Sequence, residues 1–545
     1  MSFLTPQEFE NKLKAGDWTG LAGKTVQGRI NLAGSSFDQP IRLSHMTFHG
    51  DVDFSDCAFG GSVFFEGCAF ARNLRMENSE VDGSLFLRNV TIRGGASQSG
   101  KRFAGQYALE ASGLVVRGDL CLDLIEVTDA AGTDPKDRPW EDGSICLRGA
   151  GIEGNLTALG AVLDGTFVIE GAAIGGTLHL GSLYDPAQHA LVKGYFGRGL
   201  DAQNIRVEGQ CILGGFLCGN DAQFWGSRFH STVFISSFVH YPAQGDPQCV
   251  YSEIAGDLSF AAAVVDGHLK IESTRIAGSM NCLSADLGAL RLMYETHMTQ
   301  GIGDPRPCSV DSLMLRACTI RADVALYGLQ VRGNKETYGQ RGVLISGAKI
   351  GSDLRFWSPT MLEGETPAKD LVFDPVFGHA VINGPLIIEG NTEIGGLVDL
   401  TNVIVDGDVA IRDCHVTGDV RFSSTVSLLN DPPLAGFAER LRDNAQKGIL
   451  LSAIAHSLDL SMLTCNNDVD LTGLTLFLER TAIARDGSAE RGKLGLKARH
   501  LEIKGKLDLH LVHNNKSCLF DEYYFSNYKY EHLNININYC VAKSI

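Results

Sequence analysis

No stretch of about eighteen consecutive apolar residues occurs in this chain, so the sequence offers no membrane-spanning helix. Clustered Lys and Arg are also missing and the formal net charge is −17, so direct binding to nucleic-acid phosphates is not expected. The 14 cysteines include no CxxC pair, which removes the commonest zinc spacing. The 15 histidines form no HExxH, and neither a GxSxG elbow nor a dinucleotide fingerprint follows a strand. His510 and His513 lie close together, but no two further ligands accompany them. Neither metal nor cofactor is therefore expected. The opening residues MSFLTPQEFENKLKAGDW lack the basic and apolar segments of a secretory signal. Thiols without an export signal point to a reducing, cytoplasmic setting with no membrane association.

Glycine, by contrast, is abundant at 63 residues against 15 prolines, a composition of many turns and few breaks in strand pairing. Between Ile30 and Ile92 the apolar residues form three columns, each repeating every 11 positions. The first is Ile30, Ile41, Val52, Val63, Leu74 and Leu85; the second is Leu32, Leu43, Phe54, Phe65, Met76 and Leu87. The third is Phe37, Phe48, Phe59, Phe70, Val81 and Ile92. Paired apolar–x–apolar positions are the period of a strand against a core, and helical spacings are not sustained. The same phase returns at Leu156, Leu258 and Val398. The position two before a third-column residue is usually small, as at Ser35, Cys57, Cys68, Ser79, Ala150 and Cys414. The expectation is an all-β parallel solenoid in which Cys57, Cys68, Cys318 and Cys414 are small core residues.

The segment GDVDFSDCAFGGSVFFEGCAF resembles the pentapeptide-repeat proteins, whose units read small–polar–Leu/Phe–x–x. That resemblance implies a right-handed, four-sided β-helix with a large and a small residue inside every face. Alternate faces here carry six residues instead of five, which would give about 22 per coil where the family has about 20. Cys57 and Cys68 then fall on opposite faces, too far apart for a disulfide. Later units such as GDLSFAAAVVDGHLKIESTRIAGSM also resemble bacterial repeat proteins labelled membrane-associated oxidoreductases. Acidic pentapeptide-repeat members that imitate DNA and occupy gyrase supply one functional expectation by resemblance.

Three regions follow. Residues 1–26 read as a capping helix, with Thr5-Pro6-Gln7-Glu8 as a capping box, Phe9 and Leu13 inward, and Trp18 plugging the core. Residues 27–510 read as the solenoid, and 511–545 as a cap or an atypical tail without an evolved role. Insertions interrupt the repeat at about 94–108, 129–143, 181–198, 240–249, 293–310, 357–379, 427–447 and 478–492. The one from Pro433 reads as an amphipathic helix. Trp140, Trp357, Phe437 and Arg440 in or beside these insertions are the candidate partner-binding residues.

GASQSGKRF carries Gly95, Gly100 and Lys101 at phosphate-loop spacing, but Arg102 replaces the Ser or Thr that holds magnesium. With no catalytic constellation, the expected function is a non-enzymatic scaffold binding protein partners through insertions and flanks, with self-association through a solenoid end a further route. The alternatives are an acidic DNA mimic, a polysaccharide-active β-helix, and a peripheral membrane protein.

Overall fold

A computed structural model describes residues 3–94, 107–129, 143–242, 247–293, 307–333, 342–356, 380–422 except 402 and 406, and shorter stretches between 452 and 514. The chain divides into two compact units. The first comprises Met1–His268 and Thr274–Gly278; the second comprises Leu269–Ser273 and Ser279–Ile545.

In the first unit every coil contributes strands to four faces. The opening full coil supplies Ile30–Asn31, Ser36–Phe37, Ile41–Ser44 and Thr47–Phe48. Each pairs in parallel with its counterpart 22 residues later: Ile30 with Val52, Phe37 with Phe59, Ile41 with Val63, Phe48 with Phe70. The third sequence column thus splits between two faces, and its rings stack coil upon coil. Phe37 and Phe59 lie 5.2 Å apart and Phe48 and Phe70 4.8 Å apart, matching the spacing between parallel strands. Phe54, Phe65 and Phe70 are fully buried, each worth roughly 1.5–3 kcal/mol. Parallel pairing continues across the longer sequence gaps, so Leu74 pairs with Leu109 and Leu178 with Cys211.

The small slot has a specific role at the corners. Ser79 Oγ donates to the Phe54 carbonyl at 2.6 Å and accepts from the Cys57 amide at 3.1 Å, replacing ladder bonds where the chain turns. Ser227 repeats the arrangement, donating to the Ala202 carbonyl at 2.7 Å. Cys57 likewise contacts the Leu32 carbonyl at 3.0 Å. Burial pushes the Cys57 and Cys68 thiols up to about 11, and both are free. The residue before the slot adopts a left-handed conformation, as at Asn78 with φ 52° and Gly34 with φ 70°, which favours Gly and Asn there.

The N-terminal helix spans Pro6–Lys14, with both hydrogen bonds of the capping box formed between Thr5 and Glu8. It turns its apolar stripe onto the first coil. Phe9 and Leu13 are buried, and the Phe9 ring meets Phe48 edge-on at 5.5 Å. Trp18 remains partly exposed instead of plugging the core, because Phe9 already fills the space beneath Phe48.

The second unit repeats the scheme. Leu313 pairs with Val343, Val343 with Leu386, Leu386 with Val409, and Val409 with Leu458, all parallel. Inward residues such as Val398, Leu400, Val409 and Ile411 are buried. Among the described residues no helix is long and apolar enough to cross a membrane.

Candidate functional site

Strand alternation in the first unit leaves one side chain per coil pointing outward from the middle of each face. On the third face this outward column is Arg42, Phe64, Phe86, Cys121, Thr157, His179, Ile212 and Phe234, each in register with the next. The Phe64 and Phe86 rings stack at 4.8 Å with 5° between their planes, and the Arg42 guanidinium lies 4.7 Å over Phe64. All members after Arg42 are half-buried. Burial lowers the His179 pKa, a shift that Asp123 opposes. Apolar side chains thus flank Thr157 and His179 on both sides, and apolar groups clustered on an outer wall are the usual mark of a contact surface.

Two insertions form a shelf at the corner beyond this face. Leu183–Asp185 pairs antiparallel with Ala190–Val192, and Phe238–His240 pairs antiparallel with Gln248–Val250. The hairpins are joined ring to ring, Tyr184 stacking on His240 at 3.6 Å. Tyr184 also contacts His189 Nδ1 through its hydroxyl at 3.3 Å. Glycines let the first hairpin leave the coil: Ser182 Oγ donates to the Gly215 carbonyl at 2.7 Å and accepts from the Gly194 amide at 3.3 Å. Tyr241, at 60% exposed, and Tyr195, at 41%, present large rings beside the shelf. Trp225, at 49%, is exposed at the corner after the first face.

The outer side of the first face carries a polar cluster. Ser112 Oγ donates to Glu110 Oε1 at 2.5 Å and approaches Cys146 Sγ at 3.2 Å. Tyr107 packs over Gly143, where a Cβ would meet its ring, and burial pushes its hydroxyl up to about 12. Cys146 is buried and burial raises its pKa, which keeps it a thiol and unsuited to attack. Asp201 is raised chiefly by burial, with Glu170 adding to the shift and the Gln203 amide opposing it. A carboxyl raised in the fold binds its proton more tightly there than in the unfolded chain. The resulting penalty is absent below the unfolded value of about 3.9 and is complete above the folded one. Asp201→Asn is therefore expected to melt higher than the parent at pH 7, with the difference closing near pH 3.5 or below (about 0.4 below that unfolded value). Thermal melts across pH check this; a constant difference would rule out the ionisation as its cause.

Elsewhere on the wall, charges alternate. Arg117 bridges Glu80 and Glu153 at 2.7 Å each, and Arg148 holds Glu170 at 2.8 Å. In the second unit a cavity of about 540 Å³ is lined by Glu389, Arg412, Asp413, Asp459, Met462 and His500. Arg412 is pinned there by two bonds to Glu389 Oε2, at 2.8 and 2.6 Å. Among the described residues no three His, Cys, Asp or Glu side chains gather as a metal would require.

Trp140, Trp357, Phe437 and Arg440 lie outside the described residues, as do the phosphate-loop-like segment, the helix from Pro433, His510 and the last thirty residues. The third-face strip is absent from the sequence expectation, which followed only inward columns. Its signal was nonetheless present as unbroken apolar triplets where alternation calls for a polar centre: Val63-Phe64-Phe65, Leu85-Phe86-Leu87, Cys211-Ile212-Leu213 and Val233-Phe234-Ile235.

Two overlapping stretches, residues 32–80 and 43–91, match the family model described as Pentapeptide repeats (9 copies). No curated protein and no solved structure matches the chain.

Proposed function

We propose that this β-solenoid, whose first coils carry pentapeptide repeats, is a non-enzymatic scaffold that binds a protein partner on the outward side of its third face and on the adjoining hairpin shelf. The carrying observation is the stacked column from Phe64 and Phe86 up to Ile212 and Phe234. A solvated wall would place polar groups at these positions, and aromatic anchors dominate most protein interfaces. The insertions bearing Trp140, Trp357, Phe437 and Arg440 are proposed as further contacts, and the setting as cytoplasmic.

The test uses a partner recovered by affinity purification and then titrated in purified form. Phe64→Asp with Phe86→Asp is expected to weaken binding at least about thirtyfold while leaving circular dichroism and melting temperature nearly unchanged. Unchanged affinity in a folded double variant would remove the third face from the interface. A DNA mimic needs an unbroken line of carboxylates; Arg117 between Glu80 and Glu153 favours the partner-binding reading instead.

Action on polysaccharide has one observation in its favour, the cavity flanked by Glu389, Asp413 and Asp459. Turnover of a defined glycan by the purified chain, abolished by Asp459→Asn, would establish that reading and displace the scaffold.

A further inference from the structure

Several arginines on the first unit's walls are committed to carboxylates: Arg75 to Glu77, Arg117 to Glu80 and Glu153, Arg148 to Glu170, Arg206 to Glu208. Arg42 differs. It is exposed, pairs in register with Phe64, and lays its guanidinium 4.7 Å over that ring. Phe86 backs Phe64 from the other side at 4.8 Å, so the three groups form one stack. Ser44 is in register with Glu66 on the neighbouring strand, yet Arg42 makes no ion pair with that carboxylate among the described residues.

We propose that Arg42 is the anchor for a carboxylate on the partner. The occupant of the third face is an acidic peptide segment whose apolar side chains lie on Phe64 and Phe86, with an Asp or Glu beside them meeting Arg42. This deepens the partner-binding reading of the third face and rests on it. A guanidinium seated over a ring keeps N–H groups that point away from the ring available to a partner. Those groups are the donor fork that fits a carboxylate with two parallel hydrogen bonds. Being stacked already, the side chain loses little rotamer freedom on binding. The apolar column starts immediately beyond it, so an acidic residue adjacent to apolar ones satisfies both features at once.

Random dodecapeptides displayed on phage, selected against the full chain and sequenced, are the probe. The parent protein is expected to enrich Asp or Glu next to Leu, Phe or Trp. Arg42→Glu is expected to replace that preference by Lys or Arg. A synthetic peptide from the parent pool is expected to bind Arg42→Ala at least about tenfold more weakly, with Arg42→Lys recovering only part of the loss because it keeps the charge without the fork. An acidic preference that survives Arg42→Ala, a preference for phosphorylated over carboxylate versions of that peptide, or a pool no different from the unselected library would each overturn the proposal. Apolar peptides that need Phe64 and Phe86 but show no acidic preference would overturn the carboxylate contact alone. Peptides that bind the Phe64→Asp, Phe86→Asp variant as well as the parent would overturn the third-face reading with it.

Discussion

Phe54→Ala is expected to destabilise the N-terminal coils by about 3–5 kcal/mol, whereas Phe64→Ala, ten residues further along the same chain, costs about 1 kcal/mol or less. The difference lies in which side of the wall each ring occupies. Phe54 is 1% exposed and meets Phe37, Phe59 and Phe65 edge-on at 6.4, 5.9 and 6.2 Å. Removing it leaves a void that neighbours on three sides are held from filling by their own strands. Phe64 faces outward, and its loss uncovers one side of Phe86 without opening a cavity. Each coil contacts only its neighbours, so a global melt spreads a local effect over the whole array. Hydrogen exchange resolved to residues 30–92 is the suitable measurement. Equal protection losses in the two variants would contradict the assignment of inward and outward columns.

Gly181→Ala is expected to cost about 3 kcal/mol or more and to loosen the hairpin shelf. Gly181 has φ 129°, a conformation open to glycine, and a Cβ there would lie 2.0 Å from the Gly214 carbonyl oxygen. Gly194 is equally tight, with its Cβ position 2.1 Å from the Gly181 oxygen. These glycines bring three backbones close together where the first hairpin leaves and rejoins its coil. An alanine must push the coils apart, straining the bond from the Ser182 amide to the Gly214 carbonyl and the Tyr184–His240 stack beyond it. Faster exchange in Leu183–Asp185 and Ala190–Val192, alongside a lower melting temperature, is the expected signature. A variant that melts like the parent would show that the coils can separate at little cost.

Much of the architecture follows from residue order alone. An 11-residue period with two apolar positions per strand can bury both only in a parallel stack, so Ile30, Val52 and Leu74 had to line one wall. Cys57, Cys68, Cys318 and Cys414 were legible for the same reason: a corner with room for a small side chain accepts Ala, Ser or Cys alike. The capping box at Thr5 was readable because its hydrogen bonds join residues three apart.

The candidate site was less legible. A period reports which residues face inward, because burial imposes the same demand on every coil. It is nearly silent about the outward column, where each side chain answers to its neighbour one coil away. Phe64 and Phe86 are separated by 22 positions and come together only because the register is 22 residues. Tyr184 and His240 are further apart in sequence, and their stacking needed both insertions to close as hairpins at the same corner. The sequence by itself therefore determined the solenoid, its inward columns and the small-residue corners, since these depend on local pattern and burial. Only the tertiary structure decided that Arg42, Phe64 and Phe86 form one outward stack beside a paired-hairpin shelf, because contacts between coils depend on register and on where each insertion folds back.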